Sequence, residues 1–370
     1  MKTKTLKKSD PILLAIILTL LIFGLVMLSS AGVVTSDTRY GDPYHLFKRQ
    51  FFLGVIPGLI LFFIAQKINY RFWRKVSVPL FFLSIVLLVL ALIPGIGADF
   101  KGASRWIDLG IFSFQPAELV KLAVIVYLAA WLESHKEKIK SFKDGFLPFL
   151  AILGVPLILI ACQPDFGTLG IIAIIGSVMF FISGASVKYM AGLFFGGIAF
   201  LVIFSMRGYR GERLKAFFDA GIDPQDIGYQ INQALLAVGS GGLFGLGLGH
   251  SRQKFNYLPE PVGDSIYAII AEELGFVGAI FLLSLFIFFT LRGLRIARFA
   301  PDRFSQMLAI GIVSWIVFQA FVNIMAIIKL IPLTGITLPF VSYGSTSLVF
   351  ILLAVGILLN ISKHSKLPKK

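Results

Sequence analysis

Charge is scarce in this chain. Aspartate and glutamate number 19 in 370 residues, and charged side chains of both signs make up 14%, against about 25% in a typical soluble domain. A single cysteine, Cys162, excludes an intrachain disulfide and a thiolate zinc cluster. The four histidines, His45, His135, His250 and His364, are scattered without metal-ligand spacing. No Ser/His/Asp arrangement or Cys/His pair is readable. The glycine-rich stretch GSGGLFGLGLG (239–249) has no strand before it and no Lys-Ser/Thr after it, as a P-loop requires. Glycine there points instead to closely packed or re-entrant backbone. The chain has no low-complexity linker and no obvious internal repeat.

What it does have is apolar length. Apolar residues are 57% of the sequence and the mean hydropathy is +0.88. An apolar run of about 18–20 residues crosses the hydrocarbon core as a helix, because lipid offers backbone groups no hydrogen-bond partner. Ten such spans are expected, near 12–31, 50–66, 77–94, 116–132, 146–162, 168–184, 189–206, 266–290, 307–327 and 346–361. The expected architecture is an all-α polytopic membrane protein forming one domain over 1–370. Its large exocytoplasmic loop, about 207–264, lies between spans seven and eight.

Charge orients the bundle. With the N-terminus inside, the cytoplasmic segments hold 21 of the 34 Lys and Arg, and the short outer loops hold six: Arg39, Lys48, Arg49, Lys101, Arg105 and Lys329. This is the positive-inside asymmetry, with both termini cytoplasmic. It accounts for most of the +15 net charge without nucleic acid, which would need a broad basic surface. Lys2–Lys8 followed by an apolar run resembles a signal peptide, but the run is long and nine spans follow, so an uncleaved first span is expected.

Three outer segments depart from simple connections. The 207–264 loop is nearly 60 residues long and carries six basic and six acidic residues. Loops of that length in compact folds are usually functional. The 95–115 loop is rich in glycine and holds Arg105, Trp106 and Asp108. The third, KLIPLTGITLPFVSYGS within 328–345, puts Pro, Gly and hydroxyls where a helix should continue. Such backbone is tolerated at membrane depth where it lines a cavity or packs on protein. Together they point to one outward-facing site.

Within these segments Asp264 stands out, at the turn that enters the eighth span in YLPEPVGDSIYAIIAEELG. It suits a helix N-cap, and the same placement suits a general base at the membrane–water boundary. Glu260 adds a carboxylate to the same turn. Glu118 and Lys121, at i and i+3 after Pro116, read either as an ion pair near a helix start or as lining of a cavity. Glu272 and Glu273 are adjacent, about 100° apart on a helix, so one of them is expected to be deeply buried. Glu272 fits either packing or contact with the site. Arg207, Arg210, Arg213 and Lys215 begin the long loop and suit either lipid headgroups or a lipid-linked pyrophosphate.

The motifs GASRWIDLGIFSFQPAELVKLA (102–123), QPDFGT (163–168), YRGERLKAFFDAGIDPQDIGYQINQALLAVGSGGLFGLGLG (209–249), KFNYLPEPVGDSIYAIIAEELG (254–275) and GITLPFVSYGSTSLV (335–349) run in order along the chain. Together they resemble the SEDS family of FtsW, RodA and SpoVE. YGDPYHLFKRQ (40–50) and the LPEP before the aspartate are more similar to the FtsW and SpoVE types than to RodA. The resemblance implies a peptidoglycan glycosyltransferase of the bacterial cytoplasmic membrane, acting in division or cell-wall synthesis. It would polymerise lipid II and release undecaprenyl pyrophosphate, beside a class B penicillin-binding transpeptidase and other division proteins.

By the same resemblance Asp264 is the catalytic aspartate, Glu118 and Lys121 are the family's Glu–Lys pair, and Arg210 and Arg213 are its loop arginines. Ser342 lies in the hydroxyl-rich Ser-Tyr-Gly motif. A divalent cation, Mg2+ or Mn2+, is compatible with this chemistry. Two departures, Gly263-Asp264-Ser265 and Ser342-Tyr343-Gly344-Ser345-Thr346-Ser347, remove bulk near Asp264. The rival readings are a lipid II flippase, which would also carry intramembrane Glu118, Lys121 and Glu272, and a non-catalytic division scaffold.

Overall fold

The computed structural model describes residues 9–100, 103–108, 110, 113–205, 217 and 227–365. Every expected span is helical in it, and the chain is a multi-pass helical membrane protein. The helices are α1 (Pro11–Tyr40), α2 (His45–Lys67), the short α3 (Arg71–Lys75), α4 (Ser77–Leu92), α5 (Pro116–Ser134), α6 (Phe142–Cys162), α7 (Phe166–Ile182), α8 (Val187–Ser205), α9 (Ile227–Ser240), α10 (Ile266–Arg298), α11 (Arg303–Ile327) and α12 (Ser345–His364). Six of these (α1, α2, α6, α10, α11 and α12) have at least 18 residues and are apolar enough to cross a membrane, and α4 and α7 are shorter apolar helices.

Two elements add to the all-helical expectation. The 95–115 loop folds into an antiparallel sheet of β1 (Gly97–Phe100), β2 (Ala103–Asp108) and β3 (Ser113–Phe114), in that spatial order. The long loop contains α9, an amphipathic helix packed on α10.

Burial separates centre from rim. In α11 and α12, 72% of the most apolar 18-residue window is buried, against 28% in α2 and α6. Rim helices turn apolar stripes outward, as Phe52, Ile56, Ile60 and Phe63 of α2 do. Lipid covers such a face at no cost, so exposed phenylalanine here marks the bilayer. Close contacts at the centre use glycine. A Cβ on Gly24 of α1 would collide with the Phe340 carbonyl, so the 328–344 segment can lie directly against α1.

The cytoplasmic end expected from the charge pattern is tied by polar contacts. Asp10 caps α1, accepting from the amides of Ile12 and Leu13 at 3.1 and 3.0 Å. It also pairs with Arg292 of α10 at 2.7 Å. Asp302 caps α11 in a reciprocal capping box with Ser305 and accepts a 2.6 Å hydrogen bond from the Tyr70 hydroxyl. Burial alone would raise the Asp302 carboxyl, but the bonds from Tyr70 and Ser305, with Arg71 nearby, hold it below its ordinary value of 3.8. Burial first, and then the bond to Asp302, pushes the Tyr70 phenol up to about 12.

Replacing Asp302 with alanine should therefore cost about 1–3 kcal/mol, from the cap and the tyrosine bond together. Because the folded carboxyl is depressed, that contribution is present above the ordinary value and lost as pH falls through the folded one. Thermal unfolding in detergent should show a gap between wild type and Asp302→Ala at pH 7 that closes below about pH 4.

Candidate functional site

The site is built where α10 begins. The chain between α9 and α10 comes back along the end of the bundle opposite Asp10 and Arg292, makes the turn 261–265, and enters the helix at Ile266. Asp264 sits in that turn, half-buried. The cap position belongs to Ser265 rather than to Asp264, and Ser265 makes no side-chain cap bond. Main-chain bonds hold the turn from within, because the Glu260 carbonyl accepts from the amides of Gly263 (3.1 Å) and Ser265 (3.3 Å). Glu260 adopts a left-handed φ of 49°, a conformation that persists for such a residue where the surroundings impose it.

The 328–344 segment supplies those surroundings. Ser342 donates to the Gly263 carbonyl at 2.6 Å and accepts from the Leu338 amide at 2.8 Å. The Tyr343 amide donates to the Val262 carbonyl at 2.8 Å. Asn323 of α11 donates from Nδ2 to the carbonyls of Asp264 (2.8 Å) and Ile336 (2.7 Å). Three consecutive carbonyls, those of residues 262, 263 and 264, are thus each held from outside the turn. The side chain of Asp264 is positioned by a fixed backbone.

Glu118 and Lys121 join the same polar layer one helical turn along α11. The Lys121 ammonium donates to Glu118 at 2.8 Å and to Gln319 Oε1 at 2.9 Å, and lies 5.0 Å from the Trp315 ring centroid. Gln319 donates onward to the Thr337 carbonyl at 3.0 Å. Gln319 and Asn323 are four apart on one face of α11, so this face holds the Thr337 carbonyl with one amide and the Ile336 and Asp264 carbonyls with the other. Both members of the ion pair are buried. With a charge, an amide and an aromatic face around it, Lys121 is compensated at a depth where an unpaired charge is costly.

Glu272 is elsewhere. Its two oxygens accept from the Ser251 hydroxyl and from the amides of Arg252 (2.9 Å) and Gln253 (3.3 Å). That is a packing role, anchoring the loop that precedes the site. Glu273 is buried as well, contrary to the expectation of one deep carboxylate in the pair. It accepts from Ser30 of α1 (2.7 Å) and from Lys254 (2.8 Å). The glycine-rich stretch lies against these carboxylates and pairs with a break in α10. Gly275 has φ 66° and ψ −165°. The Leu246 and Gly247 amides donate to the carbonyls of Glu272 and Glu273, and the Phe276 amide donates back to the Gly242 carbonyl. A Cβ on Gly245 would strike the Glu273 carbonyl, which is the close approach the glycines permit.

Arg210 and Arg213 lie outside the described residues. The structure therefore brings Asp264, Glu260 and Ser342 together directly, joins Glu118 and Lys121 to them through α11, and sets Glu272 apart. Asn323, Gln319 and Lys254 were not singled out from sequence. The available signal was two amides at i and i+4 in an otherwise apolar span. Among the described residues no three His, Cys, Asp or Glu side chains come together as a metal site. A divalent cation held by one or two carboxylates together with substrate phosphates needs no such cluster.

Fold and site define a class: a polytopic membrane protein that fixes one acidic turn at a single end of its helices. The chain belongs to the FtsW/RodA/SpoVE family of cell cycle proteins, whose family model matches residues 11–367. It is 44% identical over 365 residues to stage V sporulation protein E of Bacillus subtilis (strain 168), covering 98% of this chain and 100% of that one. It is 42% identical over 360 residues to the probable peptidoglycan glycosyltransferase FtsW of Geobacter sp. (strain M18), covering 96% and 97%. Among solved structures it resembles the rod shape determining protein RodA of Thermus thermophilus, at 28% identity and a TM-score of 0.70 over 97% of this chain and 98% of that one. A chain from a peptidoglycan synthase complex that coordinates polymerization and crosslinking matches at 26% identity and a TM-score of 0.79, over 96% and 97%.

Proposed function

We propose that this protein is a peptidoglycan glycosyltransferase that polymerises lipid II at the outer face of the bacterial cytoplasmic membrane, with both termini inside. The observation that carries the reading is the turn 261–265, whose carbonyls at 262, 263 and 264 are each held by α11 or the 328–344 segment. A general base needs such a fixed position more than it needs a particular fold. Asp264 takes the proton from the 4-hydroxyl of the acceptor sugar. The freed oxygen attacks the anomeric carbon of the donor, the bond to the diphosphate breaks, and undecaprenyl diphosphate leaves with the electron pair. Arg210 and Arg213 stabilise the leaving diphosphate.

The partner is a class B penicillin-binding transpeptidase, which would cross-link the strands as they emerge. The flippase alternative draws on the buried Glu118–Lys121 pair, but the two charges offset each other and the ammonium is further held by Gln319 and Trp315 within one polar layer. The test is purified protein in proteoliposomes with lipid II, with and without the class B partner and with added Mg2+ or Mn2+. Glycan polymer formed in the presence of moenomycin supports the enzyme. Scrambling of lipid II without polymer would replace it with the flippase.

A further inference from the structure

A cavity of about 350 Å³ lies beside the acidic turn, between the outer ends of α1 and α2 and the Asn256–Val262 stretch. Arg39, Arg49, Thr35, Thr38, Tyr40 and Tyr343 line it, with Glu260 at its wall. Three cations lie on this stretch of chain, and they are not equivalent. Lys48 has its own acid, Asp42, at 2.8 Å. The ion pairs among the described residues include neither Arg39 nor Arg49. Arg39 lies in the last turn of α1, where the helix dipole favours a cation. That accounts for one charge, not for two facing one cavity.

The lining chemistry is that of an oxyanion site: two guanidinium forks with threonine and tyrosine hydroxyls among them. Arg49 is also close enough to Tyr343 to pull its phenol down against the burial that pushes it up. The backbone of Tyr343 is bonded to Val262, two residues before Asp264. Further along the same two helices, α1 exposes Ile22 and Val26 and α2 exposes Phe52 and Ile56. Those faces suit an apolar chain lying beside them in the bilayer, with its first polar group level with the arginines.

We propose that this cavity binds the diphosphate of a polyprenyl-linked saccharide, with Arg39 and Arg49 as its charge partners. The inference rests on the function proposed above and adds to it. A reaction that joins two lipid-linked saccharides has two diphosphates to hold, and Arg210 and Arg213 account for the one that leaves. An anionic phospholipid headgroup presents the same phosphate chemistry, so the experiment separates the two.

The experiment measures binding of undecaprenyl diphosphate to the full-length protein in nanodiscs, by native mass spectrometry, beside polymerisation of lipid II by the same preparations. Wild type and Asp264→Asn should bind alike. Native mass spectrometry counts bound copies: with Arg210 and Arg213 intact one copy should persist in R39Q/R49Q, while the second should bind at least about tenfold more weakly, the loss expected when charge-assisted bonds to a phosphate are removed. Thr38→Asp keeps both arginines but adds a negative charge to the cavity, and it should weaken binding comparably in a protein that elutes as a single species. Excess phosphatidylglycerol should not displace the probe.

Wild-type affinity for the second copy in R39Q/R49Q or in Thr38→Asp overturns the proposal, and so does its displacement by excess phosphatidylglycerol. If wild type polymerises lipid II while binding is independent of the arginines, this inference fails and the glycosyltransferase reading stands. If binding depends on the arginines but no polymer forms, the diphosphate site stands and the glycosyltransferase reading fails.

Discussion

Asp264→Asn should insert and fold like wild type and yet lose about 10²–10⁴ of its rate of lipid II polymerisation, the usual contribution of a positioned base. The fold should be largely indifferent to the change because residues 262, 263 and 264 of the turn are each held through a backbone carbonyl. The Asp264 carbonyl accepts from Asn323, and the amide of Ser265 donates to Glu260, so neither bond needs the carboxylate. Asparagine is nearly isosteric and keeps both, but it cannot accept a proton at neutral pH. The comparison should be made on initial rates in proteoliposomes at saturating lipid II, with melting temperature measured on the same sample. An equal melting temperature with turnover near background supports the base. Wild-type turnover would sink the assignment, and a silent change in cells as well would favour the scaffold reading. Loss of both folding and turnover would mean that the carboxylate acts through structure.

The helices were legible as spans because lipid selects them one at a time, apolar and long enough whatever the neighbours do; among the described residues six meet both conditions, and α4 and α7 are apolar but shorter. Their ends were less so. α1 runs to Tyr40, past the expected end at 31, through Thr35-Ser36-Asp37-Thr38-Arg39. Those polar residues would stop a buried span but suit a helix leaving the membrane, and Gly41 then ends it with a left-handed φ of 67°. Residues 142–146 add a π turn at the start of α6, which lengthens a span that looks short by composition.

Asp264 and Ser342 were legible as members of motifs, and Glu118 and Lys121 also as charges where charge is expensive. Asn323 and Gln319 were not. An amide in an apolar helix carries no obvious sign of function until its partners are known, and those partners are main-chain carbonyls in two separate loops. Glu272 and Glu273 mislead for a related reason. Helical geometry separates adjacent residues by about 100°, and that argues for burying one of them only while a single surface covers the helix. Here the 241–258 loop covers one carboxylate and α1, with Lys254, the other.

Lys254 and Glu273 should show the largest stability effect in the protein. Both are buried, their charged atoms are 2.8 Å apart, and each has further partners: Lys254 donates to the Gly249 carbonyl at 2.7 Å, and Glu273 accepts from Ser30 at 2.7 Å. Removing one member leaves the other as an uncompensated buried charge, which typically costs about 3–5 kcal/mol. Replacing both with apolar residues removes the desolvation cost along with the attraction, so the double variant should lose much less than the two single losses combined. Lys254→Met, Glu273→Leu and the double variant form the cycle, read by unfolding of the purified protein in detergent. A coupling near zero would mean that the two residues act independently, through Gly249 and Ser30.

The pair should matter for turnover as well, since it pins the loop that runs directly into the turn 261–265. If the double variant recovers stability but not polymerisation, the charged pair sets the position of Asp264, because an apolar replacement can fill the space without fixing the register of the loop. Recovery of both would assign the pair to stability alone and leave the positioning of Asp264 to Asn323 and Ser342.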